Sequence, residues 1–294
     1  MAWTIALTAL CFGAGSVVAD SGEQLDNTFN FVVSRNVPYV SGVLDQQVDN
    51  LQTLDIYRPQ GDELSPVILY LHGGSWAFGD KADVHVKPHF FTQNNIAFVS
   101  MNYRLRWDYR VYDQLLDIVS AVKWLGTDGE KHGLDPTRFI LMGHASGGHL
   151  ASLVMADASY FEAEGMSTEH VRAVVSINSE SYDIPRLMRE LGSFVERRQH
   201  ELIFTGNDDV WRAASPITHV AKNSSLPPFA LLFNPESDAS SLQARGFAKA
   251  LSDADVQVVM IPGSADAPTK TDELLGTDKH VPTGALMAFL RSQI

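Results

Sequence analysis

Short apolar runs alternate with amphipathic stretches along most of this chain. Residues 66–71 read Pro-Val-Ile-Leu-Tyr-Leu and residues 96–101 read Ile-Ala-Phe-Val-Ser-Met, each of strand length and apolar almost throughout. A strand carries apolar side chains on both sides when both faces of its sheet are covered. The same texture returns at 139–142, where Gly143 is the expected stop, and at 173–177, 229–233 and 256–261. Between these runs, Leu115, Leu116, Val119, Val122 and Trp124 recur at helical spacing over 112–125, with Gly126 closing the segment. Further helices are expected at 149–156, 242–251 and 283–290. Residues 51–59 instead alternate apolar and polar positions and predict an antiparallel strand near a sheet edge. Strands alternating with helices imply right-handed crossovers, hence an α/β fold with a mostly parallel central sheet covered on both faces. No linker-like break divides the pattern, so residues 20–294 are expected to form one domain. The irregular, charged stretch 182–220 is open to two readings, a small cap-like insertion that shapes a pocket or an ordinary surface excursion.

Charge narrows the partners. The formal net charge is −13, and the basic residues form no run longer than Arg197-Arg198, so no segment is built to neutralise phosphates. Nucleic acid and acidic membrane surfaces are therefore not expected partners, and a small-molecule ligand or substrate is. An apolar stretch over residues 5–19 ends Val17-Val18-Ala19, as a cleaved export signal over 1–19 does, although no Lys or Arg precedes it. The expectation is an exported protein, periplasmic or secreted, with no membrane attachment after cleavage. Cys11 is the single cysteine and lies inside that segment, so the mature chain would have no disulfide and would depend on burial alone.

Two motifs carry chemistry. His72-Gly73-Gly74-Ser75-Trp76 follows a buried strand, and successive glycines let backbone N–H groups face a cleft with no side chain in the way. Gly143-His144-Ala145-Ser146-Gly147-Gly148 follows another and precedes an apolar helix. A strand-to-helix elbow needs small residues two before and two after its apex, because the turn brings them together. Centred on Ala145, those neighbours are Gly143 and Gly147; centred on Ser146, they are His144 and Gly148. The first register puts a methyl group at the apex and leaves Ser146 to contribute its backbone N–H, its hydroxyl capping the helix or facing inward. The second makes Ser146 the nucleophile.

These stretches make the chain resemble the esterase/lipase group of α/β-hydrolases: hormone-sensitive lipases, carboxylesterases, feruloyl and acetylxylan esterases, and kynurenine formamidase. Matching segments include Asp55-Ile56-Tyr57-Arg58-Pro59, Gly79-Asp80-Lys81, Asn102-Tyr103-Arg104-Leu105, Asp117, Asp135-Pro136, Ser215-Pro216 and Leu226-Pro227-Pro228. The resemblance implies an α/β-hydrolase fold with an oxyanion hole from Gly73, Gly74 and Ser146, and a pocket lined by His72, Ser75, Trp76 and His144. It places the triad acid at Asp238, with Glu236 as a nearby substitute. It also exposes two departures. The group's elbow reads Gly-His-Ser-Ala-Gly-Gly, so serine and alanine are exchanged here, and its Asp-His pair falls on Asp266-Ala267, so alanine stands at the base position.

His280 is the only histidine after Asp238; it is expected as a surface residue where the last helix begins, or as a relocated base. Serine without an adjacent base is a poor nucleophile. Three readings follow: a hydrolytically inactive binder of a small acyl or aromatic ligand, a non-hydrolytic catalyst using the oxyanion hole, or an esterase using Ser146 with Asp238 and His280. No cofactor is implied. His85 and His89 stand at helical i, i+4 spacing but have no Glu between them, so they are read as structural or surface residues and no metal is expected.

Overall fold

The computed structural model describes residues 24–26, 31–40, 51–106, 108–222, 225–264, 267, 270–277 and 280–294. The expected export signal at 1–19, Cys11 within it, and Asp266 lie outside the described residues. Among the described residues, nine strands form one sheet: β1 Gln24–Asp26, β2 Phe31–Pro38, β3 Thr53–Pro59, β4 Ser65–Leu71, β5 Ala97–Met101, β6 Leu134–His144, β7 Val171–Ile177, β8 Phe229–Phe233 and β9 Val258–Pro262. Their order is β1-β2-β3-β5-β4-β6-β7-β8-β9. From β5 onward the neighbours are parallel, and β1, β2 and β3 are added antiparallel at one edge.

The helices are α1 Lys87–Gln93, α2 Val111–Asp128, α3 Ser146–Ala156, α4 Ser159–Ala163, α5 Ile184–Glu190, α6 Phe194–Phe204, α7 Asp208–Ala213, α8 Pro216–His219, α9 Asp238–Asp253, α10 Thr271–Leu274 and α11 Val281–Arg291. The sheet explains why its strands are apolar throughout. In β4, Val67, Leu69 and Leu71 join one core with residues of α2, α3 and α9, while Ile68 and Tyr70 join a second core with residues of α1 and α11. Alternate side chains enter opposite faces, so a strand buried on both sides has no polar phase.

Several local expectations shift. Gly126 does not end α2, which runs on to Asp128, because no tertiary element requires a stop there and one glycine costs a helix only about 1 kcal/mol. Gly143 does not stop β6, which pairs with β7 through His144. The strand at 51–59 is third from the edge, since β1 and β2, which carry weak apolar signals, lie outside it. His85 precedes α1 with φ 51°, so His85 and His89 do not share a helix face. The stretch 182–220 folds as the short helices α5 to α8.

Candidate functional site at the carboxyl end of the sheet

β6 delivers the chain to Ala145, where φ is 47° and ψ is −111°, and α3 starts at Ser146. That backbone conformation is rare for a residue with a side chain and costs on the order of 1–3 kcal/mol. It is held from several sides. The Ala145 N–H donates to Ile177 O at 2.8 Å, and the His149 N–H donates to Ala145 O at 3.0 Å. A Cβ on Gly143 would lie 2.3 Å from the Gly147 carbonyl, and one on Gly147 would lie 2.2 Å from Leu71 O. The two glycines flanking Ala145 therefore touch backbone where no side chain fits. Ser146 is only 4% exposed. Among the described residues its Oγ has no well-formed hydrogen bond, and the nearby Tyr103 hydroxyl donates to His72 O at 2.7 Å.

The Gly73-Gly74 segment lies against this turn. A Cβ on Gly73 would stand 2.8 Å from His144 Nδ1 and 3.4 Å from the Ala145 methyl. Gly74 has φ 128° and its carbonyl accepts from Ala77 and Phe78 N–H, which folds the loop back on itself. Among the described residues, no acceptor meets the N–H groups of Gly73, Gly74 or Ser146. These three N–H groups are thus left unspent, on the loop and the turn that approach each other at Gly73 and Ala145. The matched motif residues brace it. Asn102 Oδ1 accepts from Lys81 N–H at 2.6 Å, the Asn102 amide donates to Asp80 at 3.0 Å, and Gly79 passes so close to Gly73 O that a Cβ there would lie 2.3 Å away.

Other expected residues fall differently. His72 is buried and stacked on Tyr103 with ring centroids 4.4 Å apart, and burial lowers its pKa. Ser75 and Trp76 do line a cleft of ≈ 490 Å³, closed on the other side by Gln199, His200, Leu202 and Ile203 of α6. Arg106 ties the two walls by donating to Leu202 O. His144 is partly open beside Gly73. Asp238 begins α9, exposed, and its carboxylate has no partner among the described residues; Glu236 is exposed too. Ala267 lies in the loop after β9, its N–H donating to Ser264 O at 3.2 Å. His280 corrects the expectation of a surface residue: it is 3% exposed, with Nδ1 3.0 Å from Thr283 Oγ1, because it caps the inward side of α11, where Pro282 and Thr283 are buried as well.

Residues with no signal in the sequence also shape the site. His149 is fully buried: the Trp76 indole N–H donates to its Nδ1 at 3.1 Å, and its Nε2–H donates to Ala214 O at 2.8 Å. Burial lowers its pKa from 6.5 to about 4. As pH falls from 6.5 toward that value, the unfolded chain binds a proton the folded one refuses, so stability is full above the window and declines through it by roughly 3 kcal/mol. The urea midpoint of the wild type is expected to fall between neutral pH and about pH 5 by more than that of His149→Gln. Equal falls would remove His149 as the cause.

Comparison with known proteins agrees with this geometry. The BD-FAE family model matches residues 54–246, more than half of the chain. Esterase LipC of Mycobacterium tuberculosis is 28% identical over 263 residues, covering 84% of this chain and 63% of LipC. The chain thus spans less than two thirds of the length of that relative. Among solved structures, esterase B from Lactobacillus Rhamnosis (HN001) superposes with a TM-score of 0.72 at 22% identity, covering 92% of this chain and 87% of that one. Thermogutta terrifontis esterase 2, phosphonylated by sarin, superposes with a TM-score of 0.67 at 20% identity, covering 92% of this chain and 96% of that one. With a parallel sheet, a strand-to-helix elbow and a Gly-Gly loop opposite it, the chain belongs to the BD-FAE family, within the α/β-hydrolase esterase/lipase superfamily.

Proposed function

We propose that this protein binds a small acyl or aromatic carbonyl compound in an esterase-type site and does not hydrolyse it through a serine nucleophile. The observation that carries the reading is the alanine at the apex of the elbow: at φ 47° Ala145 stands partly exposed, with a methyl group where a nucleophile would have to be. Three further observations support it. Ser146 Oγ is buried and has no well-formed hydrogen bond among the described residues, the loop after β9 has Ala267 where the superfamily holds its base, and Asp238 has no imidazole to orient. The N–H groups of Gly73, Gly74 and Ser146 remain available to a carbonyl oxygen. The helices α5 to α8 act in this reading as a small cap, since α6 closes the cleft over Ser75 and Trp76.

A fluorophosphonate probe and p-nitrophenyl butyrate test the chemistry. The expected result is no covalent adduct and no turnover above buffer, together with a raised melting temperature in N-phenylbutanamide, which presents an acyl carbonyl beside an aromatic ring. Adduct formation at Ser146, abolished by Ser146→Ala, would show an activated serine and overturn the reading.

A further inference from the structure

The loop that has alanine at the base position supplies a carboxylate a few residues later. Asp272, on α10, is almost entirely buried and rigidly held: Tyr70 Oη donates to one oxygen at 2.9 Å, and Lys87 Nζ, with a side chain 0% exposed, lies 2.9 Å from the other. Lys87 also sits over the Tyr70 ring, 5.0 Å from its centroid. The oxygen that meets Lys87 stands 4.0 Å from His144 Nδ1. His144 immediately precedes the elbow apex, and the same Nδ1 is the atom nearest to a Cβ built on Gly73. An imidazole and a carboxylate therefore stand 4.0 Å apart, the imidazole supplied by the elbow beside Gly73 and the carboxylate by α10, which follows β9.

His144 differs from the other buried histidines near the site. Among the described residues, His72 and His280 each bury an Nε2 that has no partner, whereas the His144 side chain is 31% exposed. With Nδ1 turned toward Asp272, Nε2 is the nitrogen left to accept a proton.

We propose that His144 is a proton-transfer catalyst at the oxyanion hole, positioned by Asp272, acting on small carbonyl compounds that carry an acidic C–H next to the carbonyl. His144 takes that proton, the C–H electron pair forms a C=C bond, and the carbonyl π pair moves onto oxygen, where the N–H groups of Gly73, Gly74 and Ser146 hold it. Returning a proton from His144 to carbon restores the carbonyl compound, so atoms and charge balance with no further reagent. The imidazolium formed in between faces Asp272. This rests on the binding reading above, because it uses the same donors on the same carbonyl.

Four charged or titratable groups face His144: Asp272 and Glu273 favour its protonation, Lys87 and His85 oppose it, and burial keeps it below the ordinary histidine range. The resting ring is neutral at neutral pH, as a base must be. The rate is expected to rise with pH through a limb below 6.5 and to be flat above it.

The test is deuterium incorporation into the benzylic CH2 of phenylacetone in D2O, followed by NMR. The wild type is expected to exceed the buffer rate by about 10²-fold, the low end of what a positioned base contributes. His144→Gln should return the rate to that of buffer, and His170→Gln, exposed at the amino end of β7 and so away from the site, should leave it unchanged. Asp272→Asn, checked for native near-UV circular dichroism, should slow exchange and move the acid limb to lower pH, a displacement that a purely structural role would not cause. It also tests the proposal should His144→Gln not fold. Exchange no faster than buffer, or exchange that survives His144→Gln, overturns the proposal. Stabilisation by N-phenylbutanamide without exchange would overturn it while leaving the binding reading intact; fluorophosphonate labelling at Ser146 would overturn both.

Discussion

Ala145→Ser combined with Ala267→His is expected to create p-nitrophenyl butyrate hydrolysis about 10³-fold or more above either single variant, because triad members act as a unit. The scaffold for that chemistry is already in place. The backbone at 145 has the strained φ and ψ of an elbow apex, flanked by glycines whose added Cβ atoms would strike backbone. The N–H groups of Gly73, Gly74 and Ser146 meet no acceptor among the described residues, and β8, which leads to Asp238, pairs with β9, which leads to Ala267. Ala145→Ser alone adds a hydroxyl with no base to take its proton. Ala267→His alone adds a base with nothing to activate. Steady-state kinetics on the three variants decide the matter, and a double variant no faster than the singles would mean that the two loops do not converge. In the double variant, Asp238→Asn should remove most of the gain, since the new imidazole would lose the acid that orients it.

Gly147→Ala is expected to destabilise the fold by about 3 kcal/mol, the upper part of the range for overpacking a tight site. The added Cβ would lie 2.2 Å from Leu71 O and 2.6 Å from His72 O, both backbone atoms that cannot rotate away. Separating α3 from β4 is the remaining relief, and it would disturb the oxyanion loop that begins at His72. Gly148→Ala is the informative comparison. Its Cβ would come 2.5 Å from Ser176 Oγ, a side chain that can turn aside, so a smaller loss is expected. Urea denaturation measures both. If Gly148→Ala proved the costlier, the turn would be centred on Ser146 and the argument from Ala145 would fail.

The match between these two expectations and the linear chain is uneven. Gly143 and Gly147 are readable because an elbow constrains residues at fixed offsets, and the apolar runs are readable because a covered strand is apolar whichever face a side chain takes. Gly126 misleads for the opposite reason: glycine weakens a helix locally, but the burial of Leu115, Val119 and Val122 against the sheet outweighs one unfavourable residue. His280 misleads because exposure is a property of where a helix docks, and nothing within a few residues of it reports that docking.

Local spacing alone determined that this protein has a parallel α/β core, a Gly-Gly loop after one strand, and a Gly-X-X-X-Gly turn centred on Ala145 after another. Those features depend on neighbours within one or two turns of chain. Only the tertiary structure decided what surrounds them. Asp272 reads as one acid in a polar run, yet it joins Tyr70 across 202 residues and Lys87 across 185. Trp76 meets His149 across 73 residues, and α6 closes over Ser75 through another contact remote in sequence. A buried charge must find its partner wherever the fold provides one, and that choice is made by packing the sheet, the helices and the loops together.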